Sequence, residues 1–148
     1  MLGEAPRGRP SGLVSLLARV AAGELPELQV TGNDWPTADG TAVRDYVHIQ
    51  DVAQSHVQAL KWLADAHGAI TLNVGTGRGQ SVYEIIAAFE RACGRRIGQL
   101  SAARRAGDVA ASVAATKRAQ DALGWRAIRT LDAICADAWK WQKSGGRL

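Results

Sequence analysis

The stretch Val30-Thr-Gly-Asn-Asp-Trp-Pro-Thr-Ala-Asp-Gly-Thr-Ala-Val-Arg-Asp-Tyr-Val-His-Ile-Gln-Asp51 decides how this chain is read. It opens as the end of a short strand, makes a tight polar excursion, enters a second strand carrying Arg44 and runs into a capped helix. Gly32, Asn33, Asp34, Pro36, Asp39 and Gly40 supply the positive φ, fixed φ or self-capping side chains that turns require. Such a loop delivers Arg44 to one defined place. An arginine entering a strand beside Asp45 is ordinarily half of a surface ion pair. A further role for Arg44 needs support from elsewhere in the chain.

Upstream, Leu28-Gln-Val-Thr31 alternates as a strand. Ser11 is placed to cap a helix over Leu13 to Ala22, with Leu13, Leu16, Leu17 and Val20 at helical spacing and Gly23 as its stop. Residues 1–10, rich in Gly, Pro and Arg, read as loop or disorder. Downstream, Asp45-Tyr-Val-His48 reads as the second strand, and Asp51 as the start of a helix to about residue 66. Val52, His56, Leu60 and Leu63 share one side of it. His56 there reads as a satisfied, partly buried histidine; no second histidine lies four residues away to make a metal pair.

Ala69-Ile-Thr-Leu-Asn-Val74 predicts a third strand, followed at once by Gly75-Thr-Gly77-Arg-Gly79-Gln80 and a capping box, Ser81-Val-Tyr-Glu84. That helix should end at Gly94. Strand, glycines and helix also frame a dinucleotide-binding fingerprint, but the sixth place of the turn is Gln80 rather than glycine. About twenty residues on stand Arg95, Arg96, Gln99 and Leu100, with no carboxylate for a ribose. The pattern argues against a dinucleotide here. Ile97 to Leu100 reads as a short strand, 102–108 as a loop with adjacent Arg104 and Arg105, and Thr116 as the cap of a helix from Lys117 to Leu123 stopped by Gly124. Thr130 caps the last helix, Leu131 to about Lys143, and residues 144–148 should fray.

At 148 residues, with 47% apolar and 22% charged residues, the chain suits one soluble globular domain. Cys93 and Cys135 show no C-x-x-C spacing, so neither a metal site nor a disulfide framework is indicated, and a reducing cytoplasm is the expected location. No stretch approaches a membrane span, and the start lacks the apolar core of a secretory signal. Residues 1–74 carry five Lys/Arg against eight Asp/Glu and residues 75–148 thirteen against six. A basic half admits a phosphate ligand. Nucleic acid is disfavoured, because the arginines are not interleaved with aromatics on one element.

Taken together, Gly3-Glu-x-Pro6, Gly32-Asn-Asp-x-Pro-Thr-x-Asp-Gly-Thr41, Val43-Arg-Asp-Tyr-x-His48, Asp51, Asn73-x-Gly-x-Gly77, Ala92-Cys-Gly94, Arg104-Arg-x-Gly-Asp108, Trp125 and Arg129-Thr-Leu-Asp132 resemble the C-terminal portion of the UDP-glucose 4-epimerase family, from about Gly3 to Lys143. The resemblance implies a mixed α/β, α+β-like substrate lobe of short strands and four to five helices. It would be the C-terminal part of a Rossmann-like extended short-chain dehydrogenase fold without its nucleotide-binding half. Residues 11–143 would form the UDP-sugar-binding domain. In that family NAD removes hydride while a Tyr-x-x-x-Lys pair takes the hydroxyl proton at C4. Tyr46 and Tyr83 are followed at the fourth place by Gln50 and Ala87, so the resemblance implies no catalytic residue, no metal and no NAD site in this chain.

What the resemblance does carry over is a UDP site. Arg44 and Arg105 match the family's diphosphate arginines, Asp108 its ribose carboxylate, and Tyr46 and Val82 positions lining the nucleotide pocket; Arg104 should point elsewhere. Gly12, Thr31 and Ser112 stand where the family has an asparagine, an aromatic and a tyrosine, and Ala103 and Ala115 replace a proline and an aspartate. Binding weaker than in a complete enzyme is expected. Met1 aligns inside the family's sequence, which points to a truncated gene, an internal start or a deliberately shortened chain. Expected partners are a UDP-sugar and either a separate NAD-bearing half or a second copy docked on the exposed domain face. The alternative is a silent remnant or interaction module that keeps the fold without a ligand.

Overall fold

Leu17, Ala18 and Ala21 lie on one face of α1 (Leu13–Ala21) and are buried with Leu28 and Val30 of β1 (Leu28–Thr31). Against them pack Ile85, Ile86, Ala88 and Phe89 of α3 (Val82–Cys93), Ile97, and Cys135 of α5 (Leu131–Lys143), which closes the main core. Phe89 meets the Trp139 ring edge-on at 6.3 Å. The structure, a computed structural model, describes residues 12–65 and 68–145. Over these the chain is mixed α/β, with five helices and five short strands among the described residues.

The strands form two small sheets. β1 pairs in parallel with β4 (Gln99–Ala102) on the main core. The second sheet has the order β3-β2-β5, with β2 (Val43–Arg44) antiparallel to β3 (Gln80–Ser81) and parallel to β5 (Ala111–Ser112). The second strand therefore lies earlier than the alternation of 45–48 predicts. Its ladder stops at Arg44 because the next N–H on that side, of Ala114, goes to the Asp45 carboxylate (3.3 Å) rather than to a backbone carbonyl. The chain then turns into α2 (Ile49–Asp65), which starts two residues before Asp51. His48 organises that start: its carbonyl accepts from Asp51 and Val52, and its Nδ1 accepts the Gln50 N–H at 3.1 Å.

The stop and cap signals of α3 are as expected. Ser81 and Glu84 complete the capping box, worth about 1 kcal/mol, and Gly94 closes the helix at φ +69°. Thr130 caps α5 by accepting from Ala133. Thr116 precedes α4 (Lys117–Leu123) without a side-chain cap, and Gly12 stands before α1 likewise. Ser11, expected as that cap, and the segment 1–10 lie outside the described residues, as does the end of the 144–148 tail.

Two further expectations fail, both at one place. The segment 69–74 forms no ladder: among the described residues none of its backbone groups bonds to another backbone group. The side of α2 that carries His56, Leu60 and Leu63 is turned outward, and His56 is exposed, its Nδ1 2.8 Å from the Val52 carbonyl. The physical reason is the same for both, since this chain brings no sheet to that side.

Candidate functional site

The loop 32–41 is held by its own polar residues. Trp35 N–H donates to the Gly40 carbonyl at 2.9 Å, and Gly40 sits at φ +80° where an added Cβ would lie 2.3 Å from the Asn33 oxygen. Asp39 accepts from the Thr41 N–H (2.9 Å) and hydroxyl (2.7 Å) and, through its other oxygen, from the Ser81 hydroxyl. Thr41 Oγ1 in turn accepts the Val82 N–H at 3.1 Å. Burial raises the Asp39 pKa, but these donors outweigh it and hold the carboxyl below its ordinary value. The loop is thereby tied to the start of α3, which fixes β2 and Arg44.

From β2, Arg44 Nη1 donates to the carbonyls of Val43 and Val109, both at 2.8 Å, and Nη2 lies 3.8 Å from Asp108 Oδ1. Its ion-pair partner is thus Asp108 and not the neighbouring Asp45. Asp108 is brought there by β5 and by a tight turn in which its N–H donates to the Arg105 carbonyl at 3.1 Å, with Gly107 at φ +84° as such a turn requires. Arg105 stands at the other end of that turn and is exposed. Tyr46, half-buried two residues beyond Arg44, keeps its proton: burial raises its pKa and the Arg44 charge only partly opposes this. Val82 opens α3 beside the Val43–Ser81 pair and packs on the main core. Arg104 turns to the 32–41 loop. It donates to the Asp34 carboxylate (2.7 Å) and carbonyl (2.6 Å) and stacks 4.0 Å over Trp35.

The turn after residue 74 serves a different purpose from a phosphate cradle. Asp45 accepts from the Thr76 N–H (2.9 Å), the Thr76 hydroxyl (2.5 Å) and the Gly77 N–H (2.9 Å), so the donors that could face a pyrophosphate face a carboxylate. Gly75 is required because an added Cβ would meet Asp45 Oδ2 at 2.5 Å. Residues present here do not fit an NAD pyrophosphate. Burial raises the Asp45 pKa, yet the Thr76, Gly77 and Ala114 donors outweigh it and leave the carboxyl below the ordinary 3.8. Stability from a depressed carboxyl is complete above 3.8 and is lost as pH falls through the lower folded value. Asp45→Asn should therefore lower the melting temperature at pH 7 by several degrees, roughly 1–3 kcal/mol. That difference from the parent should shrink below pH 3.8; scanning calorimetry at pH 7, 4 and 3 checks it, and a constant difference would exclude the carboxylate's charge as its source.

What sequence reasoning missed is the two-residue strands β3 and β5, which set Arg44 opposite Gln80 and Ser112. Two residues carry no periodicity, so no local signal existed. Among the described residues no cluster of three or more His, Cys, Asp or Glu could hold a metal, and no helix is long and apolar enough to cross a membrane.

An arginine from one strand and a carboxylate from a distant turn thus meet on a mixed α/β scaffold. The NAD dependent epimerase/dehydratase family model matches residues 1–75, and the chain belongs to that family. It is 47% identical over 143 residues to the UDP-glucose 4-epimerase of Bacillus subtilis (strain 168), covering 97% of this chain and 42% of that protein. To the human UDP-glucose 4-epimerase it is 46% identical over 142 residues, 96% of this chain and 41% of that one. Among solved structures, the UDP-glucose 4-epimerase of Bifidobacterium longum in complex with NAD+ and UDP superposes with TM-score 0.94 at 44% identity, over 98% of this chain and 43% of that one. The Stenotrophomonas maltophila enzyme with bound NAD and formylated UDP-arabinopyranose gives 0.94 at 52% identity, over 97% and 43%. The chain therefore spans less than half the length of these relatives.

Proposed function

We propose that this chain is the UDP-holding, C-terminal lobe of a UDP-glucose 4-epimerase, which interconverts UDP-glucose and UDP-galactose. The C4 redox chemistry belongs to an NAD-bearing part outside it. Arg44 and Arg105 bind the diphosphate, whose roughly two negative charges suit the planar forks of arginine. Asp108 accepts from the two neighbouring ribose hydroxyls, and Tyr46 and Val82 line the nucleotide. The observation that carries this reading is the approach of Arg44 to Asp108 at 3.8 Å across 64 residues of chain, with Arg105 at the end of the same turn. The consumption of the 75–77 donors by Asp45 supports placing NAD elsewhere. The reading assigns the protein to the cytoplasm, in keeping with its two free cysteines.

Calorimetric titration tests it: saturable heat is expected with UDP and UDP-glucose and a much weaker response with uridine, since the arginines bind the diphosphate. No response at millimolar UDP would refute ligand binding. One observation favours the second reading, a silent remnant: Arg44 Nη1 is already engaged by two main-chain carbonyls. Under that reading UDP and uridine give the same null result.

A further inference from the structure

Gln80 breaks the dinucleotide pattern at the sixth place of the turn that follows residue 74, and the nucleotide-sugar site gives it no task. Its side chain is nonetheless closely placed. Gln80 stands directly opposite Arg44 in the antiparallel β2–β3 pair. Both side chains therefore leave the same face of the sheet, with Cβ atoms about 5 Å apart. The neighbouring Gly79 has the other face, where an added Cβ would meet Val43 at 2.5 Å and Val113 at 2.9 Å. The Gln80 side-chain oxygen Oε1 is shielded from solvent and accepts no hydrogen bond. An amide oxygen so placed has given up its hydration and needs a donor from within the protein. The cross-strand guanidinium is such a donor, with N–H groups on Nε, Nη1 and Nη2. Nη1 is spent on the carbonyls of Val43 and Val109. Nη2 lies 3.8 Å from Asp108 Oδ1, an ion pair beyond hydrogen-bond length. Arg44 thus leans towards β5 with donors unspent, while an acceptor stands empty on its β3 side.

We infer that Gln80 is a positioning residue for Arg44: when a diphosphate draws Nη1 off the two main-chain carbonyls, the guanidinium swings across β2 and donates from Nε to Gln80 Oε1, which orients its fork on the phosphates. The inference rests on the reading that Arg44 binds a diphosphate. It accounts for the engagement of Nη1 in the free chain, because charged phosphate oxygens are stronger acceptors than neutral carbonyls. A ligand moves a side chain between two positions by the difference in what it offers each. The same swing takes Arg44 away from Asp108, whose carboxylate is then free for the ribose hydroxyls.

Gln80→Met keeps the length of the side chain and removes the oxygen. Calorimetric titration with UDP should give an affinity about three- to tenfold below that of the parent. In the Arg44→Ala background the same change should cost nothing, because no fork is left to orient. The melting temperature of unliganded Gln80→Met should equal or exceed the parent's, since an apolar group replaces a shielded, unpaired oxygen. In NMR spectra, the Arg44 Nε–H signal, assigned by its absence from Arg44→Ala, should shift when UDP is added to the parent and stay in place when it is added to Gln80→Met. Parental UDP affinity in Gln80→Met, an equal loss in both backgrounds, or an Nε–H signal that UDP does not move would each overturn the inference. So would a lowered melting temperature, which would make Gln80 an ordinary structural residue. A parent that gives no heat with UDP refutes the UDP reading and this inference together, whereas a parent that binds UDP no better than Gln80→Met does refutes this inference alone.

Discussion

If the chain holds UDP as proposed, Arg44→Ala should lower the affinity for UDP by about ten- to a hundredfold, the worth of one or two charge-assisted hydrogen bonds to phosphate. This follows from position more than from charge. The guanidinium is delivered by a strand whose start is tied through Asp39, Thr41 and Ser81 to the start of α3, and its fork is held beside Asp108 by the Val43 and Val109 carbonyls. Arg44→Lys should recover only part of the loss, because a single ammonium cannot make the paired contact of a planar fork. Arg104→Ala is the control. It removes an equal charge one residue from Arg105, but that side chain is committed to Asp34 and Trp35, so UDP affinity should hold. Calorimetric titration of the four proteins at two salt concentrations checks the set. Equal losses in Arg44→Ala and Arg104→Ala would mean that UDP senses only the general basic charge of the second half of the chain.

How much of this was legible beforehand depended on where each element finds its partner. The capping box Ser81 to Glu84, the glycine stops at Gly94 and Gly124 and the polar turn 32–41 are local, and the sequence signals stand in the structure. The partner of Arg44 was not legible locally, since Asp108 is 64 residues away and joined by strands of two residues; only the resemblance paired them. The start of α2 was displaced because His48 does the capping work expected of Asp51, while Asp51 is drawn inward by a partner near residue 129. At α2 and 69–74 the periodicities were real, but a periodicity states that a face exists and not that the same chain covers it.

Asp51→Ala should be the most destabilising single change described, costing about 3–5 kcal/mol. Asp51 is wholly buried, and its carboxylate pairs with the Arg129 guanidinium while accepting the N–H groups of Ile128 (3.2 Å) and Arg129 (3.0 Å). Alanine leaves three donors, one of them charged, without an acceptor. The consequence spreads because this carboxylate joins α2 to the segment leading into α5. A second tie in the same region, from His48 just before α2 to Asp137 of α5 at 3.1 Å, is half exposed on its Asp137 side and cannot replace it. Against a typical domain stability of about 5–15 kcal/mol the loss takes a large share, and a fall in melting temperature of about 10 °C or more is expected. Arg129→Met should also destabilise, by stranding the buried carboxylate, although its two backbone donors remain. The double change Asp51→Leu with Arg129→Met should cost clearly less than the sum of the single changes, because the charge and its partner leave together. Melting curves for the two single variants and the double variant decide it: strict additivity would show that the two side chains act independently and that the pair is not what holds α2 in place.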